Sequence, residues 1–207
     1  MPRQSRIDAP GALHHVIARG IARRGIFLGD ADRDDFLKRL SDILMESKTI
    51  CYAWALIPNH LHLLIKTVAA PLSSVMRRLL TGYALSFNLR HRRQGHLFQN
   101  RYKSILCQEE PYLLELVRYI HLNPLRAGLI KDYDELCRYP YSGHSAILGE
   151  RERGWQEVGY VLGLFAEESG AARRKYRGYV KEGIERGKRP DLIGGGLLRS
   201  QGGWTGD

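Results

Sequence analysis

Two apolar runs, Ile50–Ile57 and His60–Lys66, are separated by only Pro58 and Asn59. Proline stops the first run and asparagine tolerates a tight turn, so the two runs are predicted to pair as an antiparallel hairpin. The flanking sequence builds outward from it. Leu13–Arg19 reads as a short strand, ended by Gly20 and a basic loop with Arg23 and Arg24. Asp30 suits a helix N-cap. Beyond it Phe36, Leu37, Leu40, Ile43 and Leu44 recur at three- and four-residue spacing up to about Ser47, the pattern of an amphipathic helix. A second helix is expected from Pro71 to about His91, on the stripe Leu72, Val75, Met76, Leu79, Leu80, Tyr83, Ala84 and Phe87. Gln94-Gly95-His96 breaks it, and Leu97 to Cys107 reads as extended. Pro111 opens a third helix in its first turn, with Leu113, Leu114, Leu116, Val117 and Ile120 as its apolar side. That helix must end near Asn123, because Pro124 disfavours helical backbone in the residue before it.

The order β-α-β-β-α-β followed by a helix predicts an α+β, ferredoxin-like split βαβ fold, a four-stranded antiparallel sheet with helices on one face. Past residue 150 the character changes. A short helix is expected around Trp155–Phe165, then a Lys/Arg-rich one from Ala171 to Arg186, then a glycine-rich end. Residues 1–150 are therefore read as one domain, and 151–207 as a helical appendage or the beginning of a region cut short.

With 207 residues and 43% hydrophobic composition, the chain can bury a real core. No run of about 18 apolar residues is present, so no membrane span or membrane partner is expected. Met1–Asp8 lacks the apolar stretch of a secretory signal. Cys51, Cys107 and Cys137 have no paired spacing, which argues against a disulfide scaffold or a cysteine zinc site. A reduced, cytoplasmic protein is expected.

Charge narrows the partner. The formal net charge is +10, and no acidic residue lies between Glu46 and Glu109, an interval holding Lys48, Lys66, Arg77, Arg78, Arg90, Arg92, Arg93, Arg101 and Lys103. Such a surface binds phosphate by counter-ion release. Tyr83, Phe87, Phe98 and Tyr102 interleave the cations and are read as stacking platforms for unpaired bases. Nucleic acid is the expected partner class; a solvated basic face is the plainer alternative. An RNA-recognition module of the same topology is disfavoured, because its Lys/Arg-Gly-aromatic sheet motif is not visible.

His60 and His62 stand two apart on a strand, so both side chains leave one face. Two adjacent imidazoles can hold a divalent metal, although two ligands alone make a weak site, and one packed and one solvated histidine is the plainer reading. Tyr119 and Asn123 are one helical turn apart and lie off the apolar stripe. The phenol could act as a nucleophile and the amide oxygen of Asn123 as a further metal donor; alternatively Tyr119 is a half-exposed packing residue.

Three stretches together are more specific: Pro58-Asn59-His60-Leu61-His62-Leu63-Leu64, Gly95-His96-Leu97-Phe98-Gln99-Asn100-Arg101-Tyr102-Lys103-Ser104, and Tyr119-Ile120-His121-Leu122-Asn123-Pro124-Leu125-Arg126-Ala127-Gly128-Leu129. In this order the chain resembles the single-tyrosine HUH transposases, and more narrowly their REP-associated branch. His15–Gly20, Ile26-Phe27 and Tyr139–Gly143 fit the same pattern, so the resemblance covers about residues 10–148. It implies that His60 and His62 bind Mg²⁺ or Mn²⁺, with Asn123 standing where other branches place Gln. It further implies that Tyr119 attacks a phosphodiester of single-stranded, hairpin-forming DNA and forms a 5′-phosphotyrosine. Arg77, Arg78, Arg90, Arg92, Arg93, Arg101 and Lys103 are the expected DNA contacts. Two positions depart from the pattern: His15 replaces a frequent tyrosine, and Ala18 sits where a polar residue is common. The implied protein is a DNA strand transferase of the nucleoid, working as a monomer or homodimer. A regulator that binds nucleic acid on the same fold without chemistry is the alternative.

Overall fold

The computed structural model of the chain describes residues 11–107 and 109–186. It opens with β1 (Leu13–Arg19), a single 3₁₀ turn at Ile21–Arg23 and α1 (Asp30–Ser47). The hairpin strands follow as β2 (Ile50–Ile57) and β3 (His60–Lys66), then α2 (Leu72–Arg90), β4 (Lys103–Cys107) and α3 (Glu109–His121). The four strands form one antiparallel sheet in the order β2-β3-β1-β4, the split βαβ arrangement expected from the sequence. Five more helices follow among the described residues: α4 (Asn123–Arg126), α5 (Tyr133–Arg138), α6 (Gly143–Leu148), α7 (Val158–Gly163) and α8 (Ser169–Glu182). Among the described residues, no helix is long and apolar enough to cross a membrane.

Helices cover both faces of the sheet. On the first, Val16, Ala18, Trp54, Leu56, Leu61, Leu63 and Ile65 pack against α1 and α2. On the second, Leu13, Ile17, Ala53, Ala55, Leu64 and Ile105 pack against α3 and the helices after it. The expectation of helices on one face therefore holds for α1 and α2 alone. The physical reason is visible in β2 and the middle of β3, where every residue from Cys51 to Ile57 and from Leu61 to Ile65 is buried. A strand covered on one side alternates apolar with polar residues; a continuous apolar run marks a strand covered on both.

Several local boundaries differ from the expected ones. Gly29, not Asp30, caps α1, and the nearby carboxylate of Asp32 accepts the Leu28 N–H at 2.8 Å. The stretch predicted as extended from Leu97 forms a strand only from Lys103. Before that it runs irregularly beside the end of β1, with Ile21 N–H donating to the Leu97 carbonyl (3.0 Å) and Gln99 N–H to that of Arg19 (2.9 Å). Tyr83 and Phe87 are fully buried and Tyr102 is 6% exposed, so these three offer no stacking platform. Tyr83 donates its hydroxyl proton to the Ile26 carbonyl. The apolar stripe of α2 claims Tyr83 and Phe87; of the four aromatics only Phe98 is partly exposed.

The helices expected after residue 150 are present as α7 and α8. Val161, Leu162, Ala172, Tyr176 and Val180 share one core with Leu113, Leu116, Val117 and Ile120 of α3. The Arg118 guanidinium lies 4.1 Å from the centroid of the Tyr179 ring, tying α8 to α3. The glycine-rich end lies outside the described residues.

The turn leaving β1 has no room for a side chain. A Cβ on Gly20 would stand 2.1 Å from the Arg24 carbonyl oxygen and 2.9 Å from Ile26 Cγ2. Backbone cannot rotate away as a side chain can, so Gly20→Ala should cost about 2–3 kcal/mol of stability, read as a lowered urea midpoint. A midpoint equal to that of the unmodified chain would contradict the crowding described here.

Candidate active site

Strand register brings the polar groups together. Across β1 and β3, Arg19 pairs with His60, Ile17 with His62 and His15 with Leu64. Across β1 and β4, Lys103 pairs with Ile17. Directly paired residues share a face, so His15, Arg19, His60, His62 and Lys103 all emerge on the sheet face that α3 covers. Tyr119, near the end of α3, then sets its ring against the imidazoles. Its centroid lies 5.8 Å from that of His62 and 6.0 Å from that of His15, edge-on in both cases. His60 and His62 stand 5.1 Å apart. The phenol thus meets His62, which has His60 beside it, within a single chain. Tyr119 is only 7% exposed.

Asn123 begins α4 instead of closing α3. Its Nδ2 donates to the Tyr119 carbonyl at 2.9 Å, which ties it to the end of the helix that carries the phenol. Two further cations border the site. Arg126 of α4 holds its guanidinium 5.5 Å from the centre of the Tyr119 ring and donates to the Gly183 carbonyl at 3.1 Å. Arg19 is exposed beside His60. Neither cation, nor His15, was singled out for a role from composition or motif spacing. Alternation along β1 puts His15, Ile17 and Arg19 on one face, but only the register shows that this face meets the histidines.

Both histidines are held neutral. Burial, helped by the nearby charge of Arg19, lowers the His60 pKa to about 4. Burial lowers that of His62 well below its usual value, with His15, His60 and Arg19 adding to the shift. A neutral imidazole has a lone pair for a metal. In each ring one nitrogen is already engaged: Nδ1 of His60 with Asn59 Oδ1 at 2.6 Å, and Nδ1 of His62 with His15 Nε2 at 2.9 Å. Ligating histidines characteristically use one nitrogen this way and offer the other. With the Asn123 nitrogen also engaged, its amide oxygen is the atom available to a cation. The donor set of two imidazoles and one amide oxygen suits a divalent cation. Among the described residues no three His, Cys, Asp or Glu side chains converge as a ligand set, so an amide oxygen or the substrate itself would have to complete the coordination.

The seven expected DNA cations are not equivalent. Arg78 pairs with Glu46, and Arg90 with Asp32 at 2.7 Å and Asp35 at 3.6 Å. Arg93 lies over the Phe87 ring, 5.6 Å from its centroid. Arg77, Arg92, Arg101 and Lys103 are exposed. Arg77 and Arg101 border a groove of about 810 Å³ between α2 and residues 95–102, with Met76, Leu80, Leu97 and Phe98 in its lining and no acidic residue. The basic interval is free of acid in sequence but not in space, because carboxylates of α1 lie against α2.

A family model described as transposase IS200 like matches residues 10–123. The chain is also similar in fold to a REP-associated tyrosine transposase solved bound to a REP hairpin, with a TM-score of 0.59 and 18% identity over 76% of this chain and 90% of that one. A candidate transposase from Deinococcus radiodurans R1 aligns over 57% of this chain and 95% of that one, with a TM-score of 0.40 and 17% identity. No curated protein matches the chain. The family match spans more than half of the sequence and contains the histidine hairpin, the sheet, and α3 with Tyr119 and Asn123; this chain belongs to the IS200-like transposases, enzymes of DNA transposition.

Proposed function

We propose that the protein cuts and rejoins single-stranded DNA at hairpin-forming repeats, with Tyr119 as the nucleophile. The observation that carries this reading is the Tyr119 ring set against His62, with His60 beside it, in one chain. The Tyr119 oxygen attacks the scissile phosphorus, the bond from phosphorus to the 3′ oxygen breaks, and the phosphate stays on tyrosine as a 5′-phosphotyrosine. The phenol gives up one proton and the departing 3′ oxygen takes up one, so the step is balanced. Attack by another 3′ hydroxyl runs the same step backwards and rejoins strands without ATP, consistent with a sequence that contains no phosphate-binding Walker loop. A divalent cation, Mg²⁺ or Mn²⁺, held by His60, His62 and Asn123, would supply Lewis-acid stabilisation of the charge that develops on the phosphate and the leaving oxygen. Arg126 and Arg19 place positive charge at the same end of the sheet for the incoming backbone.

Hairpin DNA as the substrate is supported by the hairpin bound to the similarly folded transposase, and by the exposed cations near the groove. His60, His62 and Tyr119 come from one copy of the chain, which supports a monomer for a single cut; a homodimer would serve to hold two strands at once. The catalytic domain is assigned to residues 1–150, with the helices of 151–207 as its packed companion, and the place of action to the nucleoid in the cytoplasm.

The direct test is a covalent adduct. Protein, Mn²⁺ and a labelled single-stranded oligonucleotide should give a shifted band on a denaturing gel. Tight binding with no shifted band would favour the non-catalytic regulator. Salt dependence checks the DNA surface separately. Arg78 and Arg90 are engaged by carboxylates, and Arg77, Arg92, Arg93 and Arg101 are counted as phosphate contacts. Log affinity should then fall against log salt with a slope of about −2.8, near −0.7 per contact. A flat response would remove the basic surface from the account.

A further inference from the structure

We propose that His15 is a positioning residue for His62: it fixes the tautomer and the ring orientation that leave His62 Nε2 able to bind the metal. The inference rests on the metal-dependent reading above. His15 reaches the site from β1, and its ring lies edge to edge with that of His62, with centroids 5.2 Å apart and planes inclined by 25°. Its Nε2 lies 2.9 Å from His62 Nδ1, and both rings are buried. One hydrogen occupies that contact, and either nitrogen can own it.

Ownership decides the chemistry. If the hydrogen belongs to His15, then His62 Nδ1 accepts, the neutral His62 ring carries its proton on Nε2, and no lone pair faces a metal. If it belongs to His62, then Nδ1–H donates to His15, and Nε2 is the ligating atom. His15 must in that case carry its own proton on Nδ1. His60 faces no such choice. Its Nδ1 lies 2.6 Å from the amide oxygen of Asn59, which can only accept, and Asn59 is held in that orientation because its Nδ2 donates to the Arg23 carbonyl at 3.3 Å. The two expected ligands are thus oriented by different devices: His60 by an amide whose direction the turn sets, His62 by an imidazole that must act as acceptor. A phenyl ring at position 15 would keep a flat ring in the same place but lose the acceptor. A glutamine would return an acceptor near the place of Nε2.

The test is a titration with Mn²⁺ alone, followed by electron paramagnetic resonance of the unbound ion, on the unmodified protein, His15→Phe and His15→Gln. Metal affinity should fall about 10- to 100-fold in His15→Phe and stay within about threefold in His15→Gln. Equal affinities in all three proteins, or an equal loss in both variants, would overturn the positioning role. Failure of the unmodified protein to bind Mn²⁺ would instead overturn the metal-dependent reading on which it rests. Should His15→Phe not fold, the imidazole nitrogen signals of the unmodified protein with Mg²⁺ decide. Proton-bearing Nδ1 in both His62 and His15 supports the proposal, and proton-bearing Nε2 in His62 ends it.

Discussion

Tyr119→Phe should lose cleavage of a single-stranded oligonucleotide by about 10³-fold or more, a barrier increase of at least about 4 kcal/mol, while its affinity for the same DNA stays within about twofold. The substitution removes one oxygen and little else. The ring is packed edge-on against His15 and His62 and lies beneath Arg126, and phenylalanine keeps each of those contacts. In the proposed reading binding rests on basic side chains, none of which the substitution changes. Single-turnover cleavage of a labelled strand and fluorescence anisotropy measure the two quantities side by side. A variant that still cuts at the original rate would remove Tyr119 as nucleophile. A variant that loses affinity in proportion to rate would mean the phenol serves binding, not bond breaking.

Acid should destabilise the fold well before its carboxylates protonate. Behind α3, the Tyr176 hydroxyl lies 2.7 Å from His121 Nδ1 and 2.7 Å from His144 Nδ1. A hydroxyl has one proton, so it donates to one ring and accepts from the N–H of the other, and both rings are neutral. Burial pushes the pKa of His144 down to about 3, aided by the charge of Arg177. Burial also holds that of His121 well below its usual value, with His144 as the second cause. Unfolded histidines take up protons below a pH of about 6.5. From there down to the lowered folded values the unfolded chain binds more protons than the native one, so stability falls as pH falls. Two such groups give a slope approaching about 2.7 kcal/mol per pH unit; His62 shifts in the same direction. Urea unfolding at pH 7.5, 6.0 and 5.0 should show little change above pH 7 and a steep loss between 6 and 5. Tyr176→Phe should lower the midpoint at every pH, because it leaves buried ring nitrogens without that partner. A midpoint that does not move between pH 7.5 and 5.0 would contradict neutral burial of these histidines.

How much was legible in the sequence is clearest in particular residues. The run of β1 ended by Gly20, the stripe of α1 and the turn at Pro58-Asn59 are local patterns, and their strands and helices appear within a residue or two of the expected limits. The second layer of helices was not foreseen, although the unbroken apolar run of β2 pointed to it. Tyr83 and Phe87 show a different failure. They satisfied a helical stripe and a stacking platform at once, and the stripe prevailed because burying two aromatic rings is worth several kcal/mol. Arg78 and Arg90 counted toward a basic patch because their partners, Glu46, Asp32 and Asp35, belong to another helix.

By itself the sequence determined the strand and helix order, the histidine pair on one strand face, and a tyrosine one turn from an asparagine, since each depends on periodicity within a few neighbours. Tertiary structure alone decided that Tyr119 stands against His62, that His15 reaches Nδ1 of His62, and which arginines are already engaged by carboxylates. Those relations join residues dozens of positions apart, and strand register and helix packing, which no local pattern encodes, set the distances between them.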